Sequence, residues 1–168
     1  MRWFLHDRGG AAASELALIL PLLLILLVGP LELGNFFLDQ HTLVKGLRDG
    51  AVFAARQDIK YYNCASPGVV SNSDGLVDRV KNIVGGGQFT TGAERLPGWN
   101  SATFAITYAC FTATSGQTLS GIYSANNGKV PVVTVTASLP YTTVLSSLGF
   151  NTTGLTLSGT QQSAVTGI

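Results

Sequence analysis

The stretch that decides the fold is DRGGAAASELALILPLLLILLVGPLEL, which runs from Asp7 to Leu33. A short polar start is followed by a run of small residues from Gly9 to Ser14 and then by an apolar block. A single carboxylate, Glu15, stands where the apolar block begins. A helix over roughly 24 of these residues would be about 35 Å long, which is enough to cross a bilayer once. The sequence therefore predicts one membrane-spanning helix near the N-terminus.

Three interpretations of this segment remain open on hydropathy alone. A secretory signal peptide would carry its small-residue cleavage site after the apolar block, whereas here the alanines precede it. An uncleaved anchor fits the hydropathy but leaves Glu15 unexplained, because a carboxylate in the membrane costs a few kcal/mol. The third interpretation uses every part of the segment: a glycine, four residues, a glutamate and an apolar helix are the pattern of a prepilin processing site.

Residues 8–57 resemble the N-terminal region of TadE-like minor pilins, or pseudopilins, of the tight-adherence (type IV) pilus machinery. The resemblance implies cleavage by a prepilin peptidase between Gly10 and Ala11, on the cytoplasmic side, with residues 1–10 as the leader peptide. It also implies that the new amine of Ala11 approaches Glu15 of a neighbouring subunit in the filament. Leu16 stands where family members usually have an aromatic or other apolar residue, and the chain is much longer than the major pilins.

Charge and composition indicate an exported protein with one globular domain and no nucleic-acid-binding face. The 168 residues leave room for one globular domain after the helix, and only 11% of them are charged, with a net charge of +1. No basic face is indicated, so nucleic-acid binding is not predicted. After Arg95 the only charged side chain is Lys129, a composition common in exported proteins. Arg2 and Arg8 before the block and Glu32 and Asp39 after it favour a cytoplasmic N-terminus and a periplasmic C-terminal domain.

The segment from residue 31 to residue 58 reads as a continuation of the helix. Spacing at 100° per residue predicts an apolar face that packs on the globular domain, formed by Leu33, Phe36, Phe37, Val44, Leu47, Ala51, Ala54 and Ala55. Gly46 and Gly50 are predicted to lie on the other side, together with Thr42 and Phe53. Small residues four apart allow helices to approach closely, which would suit helix packing in a filament core. The alternative is an ordinary helix surface with two glycines.

The rest of the chain predicts an α+β fold. Residues 74–84 form a short amphipathic helix with Ser73 or Asp74 as its N-cap, and the glycines that follow it end it. Alternation with period two predicts strands at 101–110, 129–139 and 155–165, with residues 117–123 and 129–139 pairing as a hairpin around Asn126-Asn127-Gly128. Pro131 places its end of the strand at a sheet edge. The expected architecture is a long helix, residues 11–58, packed on a small antiparallel sheet in domain 59–168, which is a pilin-like roll.

Cys64 and Cys110 are expected to form a disulfide, because both lie in the segment predicted to be outside the cytoplasm. The alternative is two small buried thiols. Two cysteines without nearby histidines cannot complete a zinc site, and His41 has no catalytic set around it, so neither a metal, a cofactor nor catalysis is predicted.

The resulting functional hypothesis is a minor pilin that acts as a structural subunit in pilus assembly and surface attachment. Its expected partners are the prepilin peptidase, the other pilins and minor pilins of the filament, the inner-membrane assembly platform and membrane lipid. The competing hypothesis is an uncleaved single-pass anchor that presents an exported β-rich binding or adhesive domain.

Overall fold

The computed structural model describes residues 9–112, 119, 121–143, 146 and 154–167. The chain divides into two compact units, which are described separately: residues 1–37 with 143–152, and residues 38–142 with 153–168. Most of the leader predicted for residues 1–10 lies outside the described ranges, as do residues 117, 118 and 120 of the predicted hairpin.

A single long helix, α1 (Gly9–Ala55), begins the described chain and contributes to both units. It has 47 residues and continues through Pro21 and Pro30. The predicted helix over residues 11–58 therefore exists, although it begins earlier and ends at Ala55, with a turn of 3₁₀ helix at Ile59–Tyr61 following it. In the first unit its leucines are exposed, whereas in the second unit one side of it is buried.

The second unit contains an antiparallel sheet of four strands within the described ranges, in the order β1-β2-β3-β4. The strands are β1 (Gly68–Val69), β2 (Thr103–Thr112), β3 (Lys129–Pro140) and β4 (Thr156–Ala164). A second helix, α2 (Leu76–Gly86), lies between β1 and β2 in the sequence, and short 3₁₀ helices occur at Trp99–Ser101 and Gly121–Asn126. The predicted α+β fold class is confirmed.

One face of the sheet forms the core. Its side chains alternate along the strands as predicted: Val133, Val135, Ala137 and Leu139 of β3 are buried, and so are Ile106 and Tyr108 of β2. Gly159 of β4 allows α1 to approach the sheet closely, because a Cβ there would lie 2.7 Å from Cδ1 of Leu47. Leu47 and its helical neighbour Leu43 are completely buried, so this part of α1 supplies a large share of the apolar burial.

The outer edge of β4 is protected by α1. The side-chain amide of Gln40 donates to the carbonyl of Ser158 at 2.8 Å, and the N–H of Thr166, just beyond β4, donates to the carbonyl of Ala55 at 2.9 Å. These bonds fix α1 along the strand at both ends. Covering an edge with a helix prevents it from pairing with strands of other chains.

The hairpin predicted around Asn126-Asn127-Gly128 was wrong. Residues 121–123 belong to a 3₁₀ helix, and β3 pairs with β2, which is much farther away in the sequence. The three residues still form a tight turn, because Asn127 and Gly128 both have positive φ and the N–H of Gly128 donates to the carbonyl of Tyr123 at 2.9 Å. The turn joins a helix to a strand, whereas the same signal usually joins two strands.

The expectation that Pro131 marks a sheet edge was also wrong, since β3 pairs with β2 on one side and β4 on the other. The N–H of Val165 donates to the carbonyl of Pro131 at 2.9 Å, and proline has no N–H with which to complete the pair. The hydroxyl of Tyr123 donates to the carbonyl of Val165 at 2.8 Å instead. A side chain thus replaces the missing ladder bond inside the sheet.

Helix α2 begins later than predicted, and its N-cap is neither Ser73 nor Asp74. Gly75 holds the cap position in a left-handed conformation, and the side-chain oxygen of Asn72 accepts a hydrogen bond from the N–H of Val77 at 2.9 Å. The glycines end the helix as predicted, with left-handed Gly87 donating its N–H to the carbonyl of Ile83.

Candidate processing and assembly segment

The predicted processing residues lie in the first turns of α1. Gly10 is exposed, and no atom lies within 4 Å of the position that a Cβ would occupy there. Ala11 follows it within the helix, and Glu15 is exposed a little more than one turn beyond Gly10. The rise of an α-helix separates residues 10 and 15 by about 7.5 Å along the axis.

Beyond Glu15, α1 exposes apolar side chains around its whole circumference. Leu18 is 79% exposed and Ile25 is 67% exposed, and Leu27, on the opposite side of the helix from Leu18, is 64% exposed. The helix from Ala12 has a mean hydropathy of 2.5 in its most apolar window, and it is long and apolar enough to span a membrane. A continuous apolar surface of this kind favours an apolar environment, because each buried apolar Å² contributes about 25 cal/mol. The segment is thus a candidate membrane anchor.

Glu15 stands at the boundary between the small-residue run and this apolar surface. Within the part of the chain that the structure describes, the only salt bridge joins Lys60 and Asp58, so Glu15 has no ion-pair partner there. A carboxylate at the end of an apolar helix can accept hydrogen bonds from an ammonium group, and pairing reduces the cost of placing its charge in a low-dielectric environment. A cation beside Glu15 would supply such a pair.

Gly46 and Gly50 are buried inside the second unit. A Cβ at Gly46 would overlap the carbonyl oxygen of Val84, and one at Gly50 would lie 2.6 Å from Cγ2 of the same valine. The two glycines therefore allow α1 and α2 of one chain to pack with their backbones close together. The sequence correctly predicted that a helix packs closely against Gly46 and Gly50. That helix is α2 of the same chain, whereas the prediction was a helix of another subunit in the filament.

The apolar stripe predicted for α1 was correct only in part. Leu47, Ala51, Ala54 and Ala55 are buried as expected, whereas Leu33 and Phe37 are more than half exposed. The buried side of the helix is wider than the predicted stripe, because the sheet covers one part of it and α2 covers the part that carries the glycines. The prediction assumed that one element packs against α1, whereas the sheet and α2 both do.

The disulfide between Cys64 and Cys110 is present, with a Cα–Cα distance of 5.7 Å and a sequence separation of 46. It joins the segment after the 3₁₀ helix at Ile59–Tyr61 to β2. Buried Asn126 holds the same segment, because its side-chain oxygen accepts the N–H of Cys64 at 3.3 Å and its amide donates to the carbonyl of Tyr62 at 2.9 Å. Tyr62 in turn donates its hydroxyl to the carbonyl of Ala54 at the end of α1. These contacts connect the helix terminus to the sheet.

Sequence reasoning missed the long-range contacts of Asn126, Tyr62 and Gly159. Asn126 was interpreted as a turn residue, and nothing local shows that its amide reaches residues 62 and 64. Gly159 did carry a usable signal, since a glycine inside a strand often marks a close approach of another element.

The pKa shifts outside the anchor follow from local structure. The backbone N–H of Lys60 donates to the Asp58 carboxylate and lowers its pKa, whereas partial burial raises the pKa of Asp39. The phenol of Tyr61 donates to Asp74 at 2.7 Å, which raises the pKa of Tyr61. Burial raises the pKa of the Tyr62 phenol. Each pKa shift has a local cause, which is a hydrogen bond at Asp58 and Tyr61 and burial at Asp39 and Tyr62.

The fold and the segment together define a class of protein: a candidate membrane anchor that continues as a helix into a small α+β domain closed by a disulfide. The family model of the TadE-like proteins matches residues 10–52. The match begins at Gly10 and lies wholly within α1, and it confirms the resemblance inferred from the sequence for this helix. No curated protein matches the chain, and no solved structure matches it.

Proposed function

We propose that this protein is a minor pilin of a tight-adherence pilus, processed after Gly10 and anchored in the inner membrane by the first half of α1. Its role is structural: it joins the pilus assembly through α1 and presents the disulfide-closed domain in the periplasm or on the filament. The observation that carries the proposal is the TadE-like match, which starts at Gly10 and covers the helix that bears Glu15.

The exposure of the anchor supports this role. An apolar helix whose leucines are exposed on all sides can be surrounded by lipid before assembly and by the helices of other subunits after it. The helix can therefore move from lipid into the filament without unfolding. Contacts with neighbouring pilins and with the inner-membrane platform are therefore assigned to residues 11–33.

Glu15 would determine how far one subunit is shifted along its neighbour when the helices pack during assembly. After cleavage, Ala11 carries a free α-amine, and an amine of one subunit beside the Glu15 carboxylate of its neighbour forms an ion pair in a low-dielectric bundle. A charge buried without its partner costs several kcal/mol, so only the register that pairs the two groups is favourable. Because the helix surface elsewhere in this region is apolar, it provides little register information of its own.

The test compares Glu15→Gln with Asp49→Asn, at an exposed position of α1 outside the anchor, in cells that produce the other pilus components. Both variants remove one carboxylate from α1 and leave its length unchanged, but only Glu15 lies at the start of the apolar block. The proposal predicts that Glu15→Gln is inserted in the membrane yet lost from sheared filaments, whereas Asp49→Asn is incorporated normally. Equal incorporation of both variants would contradict the role of Glu15, and absence of the unmodified chain from sheared filaments would favour an uncleaved anchor that carries an exported domain.

A further inference from the structure

In the second unit, α1 exposes a single row of side chains along its length. The sheet covers one part of the helix and α2 covers another, so the residues that stay exposed recur every three or four positions. This exposed row consists of Leu38, His41, Lys45, Arg48, Asp49, Val52 and Arg56, the last of which directly follows the helix. At about 1.5 Å per residue, the row extends over roughly 27 Å.

Positive charge dominates the exposed row. Lys45, Arg48 and Arg56 are cationic, and Asp49 is the one carboxylate in the row. Within the part of the chain that the structure describes, none of these four residues belongs to a salt bridge, because the one found there lies beyond α1. Lys45 and Arg48 are three residues apart, a spacing at which like charges on a helix repel each other. The loop after α2, residues 87–98, adds one charge of each sign and leaves this balance unchanged.

An apolar centre lies between the two arginines of the row. Val52 is 38% exposed and is one helical turn from Arg48 on one side and from Arg56 on the other. The next residue, Phe53, supports the ring of Phe89 with 5.3 Å between centroids, and Phe89 is 61% exposed. Arginines and aromatic rings around an apolar centre are the composition that is enriched in protein–protein interfaces.

This arrangement favours a protein helix over a lipid headgroup or a free anion. Val52 lies in the last turn of α1, whereas the apolar block of the candidate anchor lies at the other end of the same helix. A free phosphate would pair with a guanidinium group but would leave the apolar centre in contact with water. Guanidinium groups bind carboxylates through two parallel hydrogen bonds, so a helix with carboxylates beside apolar residues satisfies both parts of the row.

We propose that the exposed row binds a helix of a different pilin subunit, one that carries two carboxylates about eight residues apart. The inference rests on the proposed pilin function, in which helices of neighbouring subunits pack along α1. Arg48 and Arg56 are about 12 Å apart along the helix axis, so carboxylates at that spacing on a partner helix parallel to α1 face both of them. Small or apolar residues between the two carboxylates would cover Val52 and the edge of Phe89.

A second copy of this chain does not match these charges. The row of a second copy brings three cations and one carboxylate, so it would place like charges opposite each other. Asp39 is half-buried and lies two turns before Gly46, on the side of α1 that packs against the chain's own domain. Glu15 and Glu32 belong to the segment assigned to the anchor. The charges of the row therefore select a subunit whose helix differs from α1.

The first test follows full-length variants into filaments in cells that produce the other pilus components. Arg48→Glu and Arg56→Glu reverse charges in the row, whereas Lys129→Glu reverses a charge on β3, outside the row. Each row variant should fall about 5-fold or more in sheared filaments, with its amount in the membrane unchanged, and Lys129→Glu should be incorporated like the unmodified chain. An intact disulfide and an unchanged thermal midpoint identify the variants that fold normally.

The second test identifies the neighbour. Arg48→Lys keeps the positive charge and adds a primary amine close to that of Lys45. In purified filaments a carbodiimide joins such an amine to a carboxylate in direct contact with it, through an amide bond. Peptide mass spectrometry should find this bond to an Asp or Glu in a helix of a different pilin subunit, with a second carboxylate about eight residues away from it.

Three results would overturn the inference and leave the pilin function in place. They are equal incorporation of the row variants and Lys129→Glu, amide bonds from the row to a second copy of this chain, and no amide bond from the row to any other subunit. Loss of folded row variants from the membrane itself would show that the row contacts lipid, and would also overturn the inference. Absence of the unmodified chain from filaments would contradict the pilin function together with the inference.

Discussion

The backbone of Gly46 in α1 lies directly against the carbonyl group of Val84 in α2, with no room for a side chain between them. Gly50 makes the same approach one turn later, against the side chains of Val84 and Val80. A motif that is often associated with contacts between separate helices is used here to close the domain of a single chain.

Gly46→Ala is therefore expected to destabilise the second unit. Alanine favours the helix by up to about 1 kcal/mol, but overpacking against a backbone carbonyl that cannot rotate away costs about 1–3 kcal/mol. A net loss of roughly 1–2 kcal/mol should appear in urea unfolding followed by near-UV circular dichroism. Gly68→Ala is the control, because nothing lies within 4 Å of its Cβ position. Equal stability of the two variants would show that α1 and α2 are not in backbone contact.

Removing the disulfide should reveal how strongly it holds the loop to the sheet. For the 46-residue separation between Cys64 and Cys110, the chain-entropy relation gives about 4 kcal/mol of stabilisation, which should be lost in a Cys64→Ser, Cys110→Ser double variant. Urea unfolding of the full chain measures the loss, with the reduced unmodified chain as the control for the substitutions themselves. A change below about 1 kcal/mol would mean that Asn126 and the sheet hold this loop without the bond.

Asn126 should be far less tolerant of substitution than its neighbour. Asn126→Ala leaves the N–H of Cys64 and the carbonyl of Tyr62 buried without this partner, at a cost of about 2–3 kcal/mol. Asn127→Gly is the matched control, since Asn127 is exposed and has a positive φ that glycine adopts without strain. Thermal unfolding of both variants should show a lower Tm for Asn126→Ala alone. A similar Tm for both would contradict the bridging role of Asn126.

Alkaline pH should unfold the second unit through Tyr62. Burial raises the pKa of its phenol above the ordinary value of 10.0, so the folded chain keeps this proton more firmly than the unfolded chain does. The contribution to stability is complete below pH 10 and is lost as the pH rises toward the pKa of the folded state. Urea midpoints measured from pH 8 to 11 should fall above about pH 10, and Tyr62→Phe should flatten this dependence. An unchanged pH profile in Tyr62→Phe would assign the loss to other groups.

The sequence was sufficient to predict the parts of this fold that depend on local pattern. The apolar run after Glu15 predicted α1, and the alternation around Val133 and Val135 predicted β3 and its buried face. The sequence could not show that β3 pairs with β2, because the Asn127-Gly128 turn is equally compatible with a hairpin. The strand order depends on this long-range pairing, which local sequence does not encode.

In the candidate site, too, the sequence predicted what depends on local pattern and missed what depends on long-range contacts. Gly10 and Glu15 form a pattern that the sequence contains completely, and the family match begins at the first of them. The contact of Gly46 with α2 depends on where another helix packs, so spacing alone could identify a close approach but not the partner. The role of Asn126 depends on a chain segment more than 60 residues away, as the hydrogen bond from its amide to the Tyr62 carbonyl shows.

The most direct test of the account is the N-terminus of the protein extracted from membranes, determined by intact-mass and peptide mass spectrometry. The account predicts that the mature chain begins at Ala11, that Gly10→Val abolishes this processing and that Gly9→Val leaves it intact. A mature chain that still begins at Met1, in cells with an active prepilin peptidase, would contradict the central claim and leave α1 as a simple anchor.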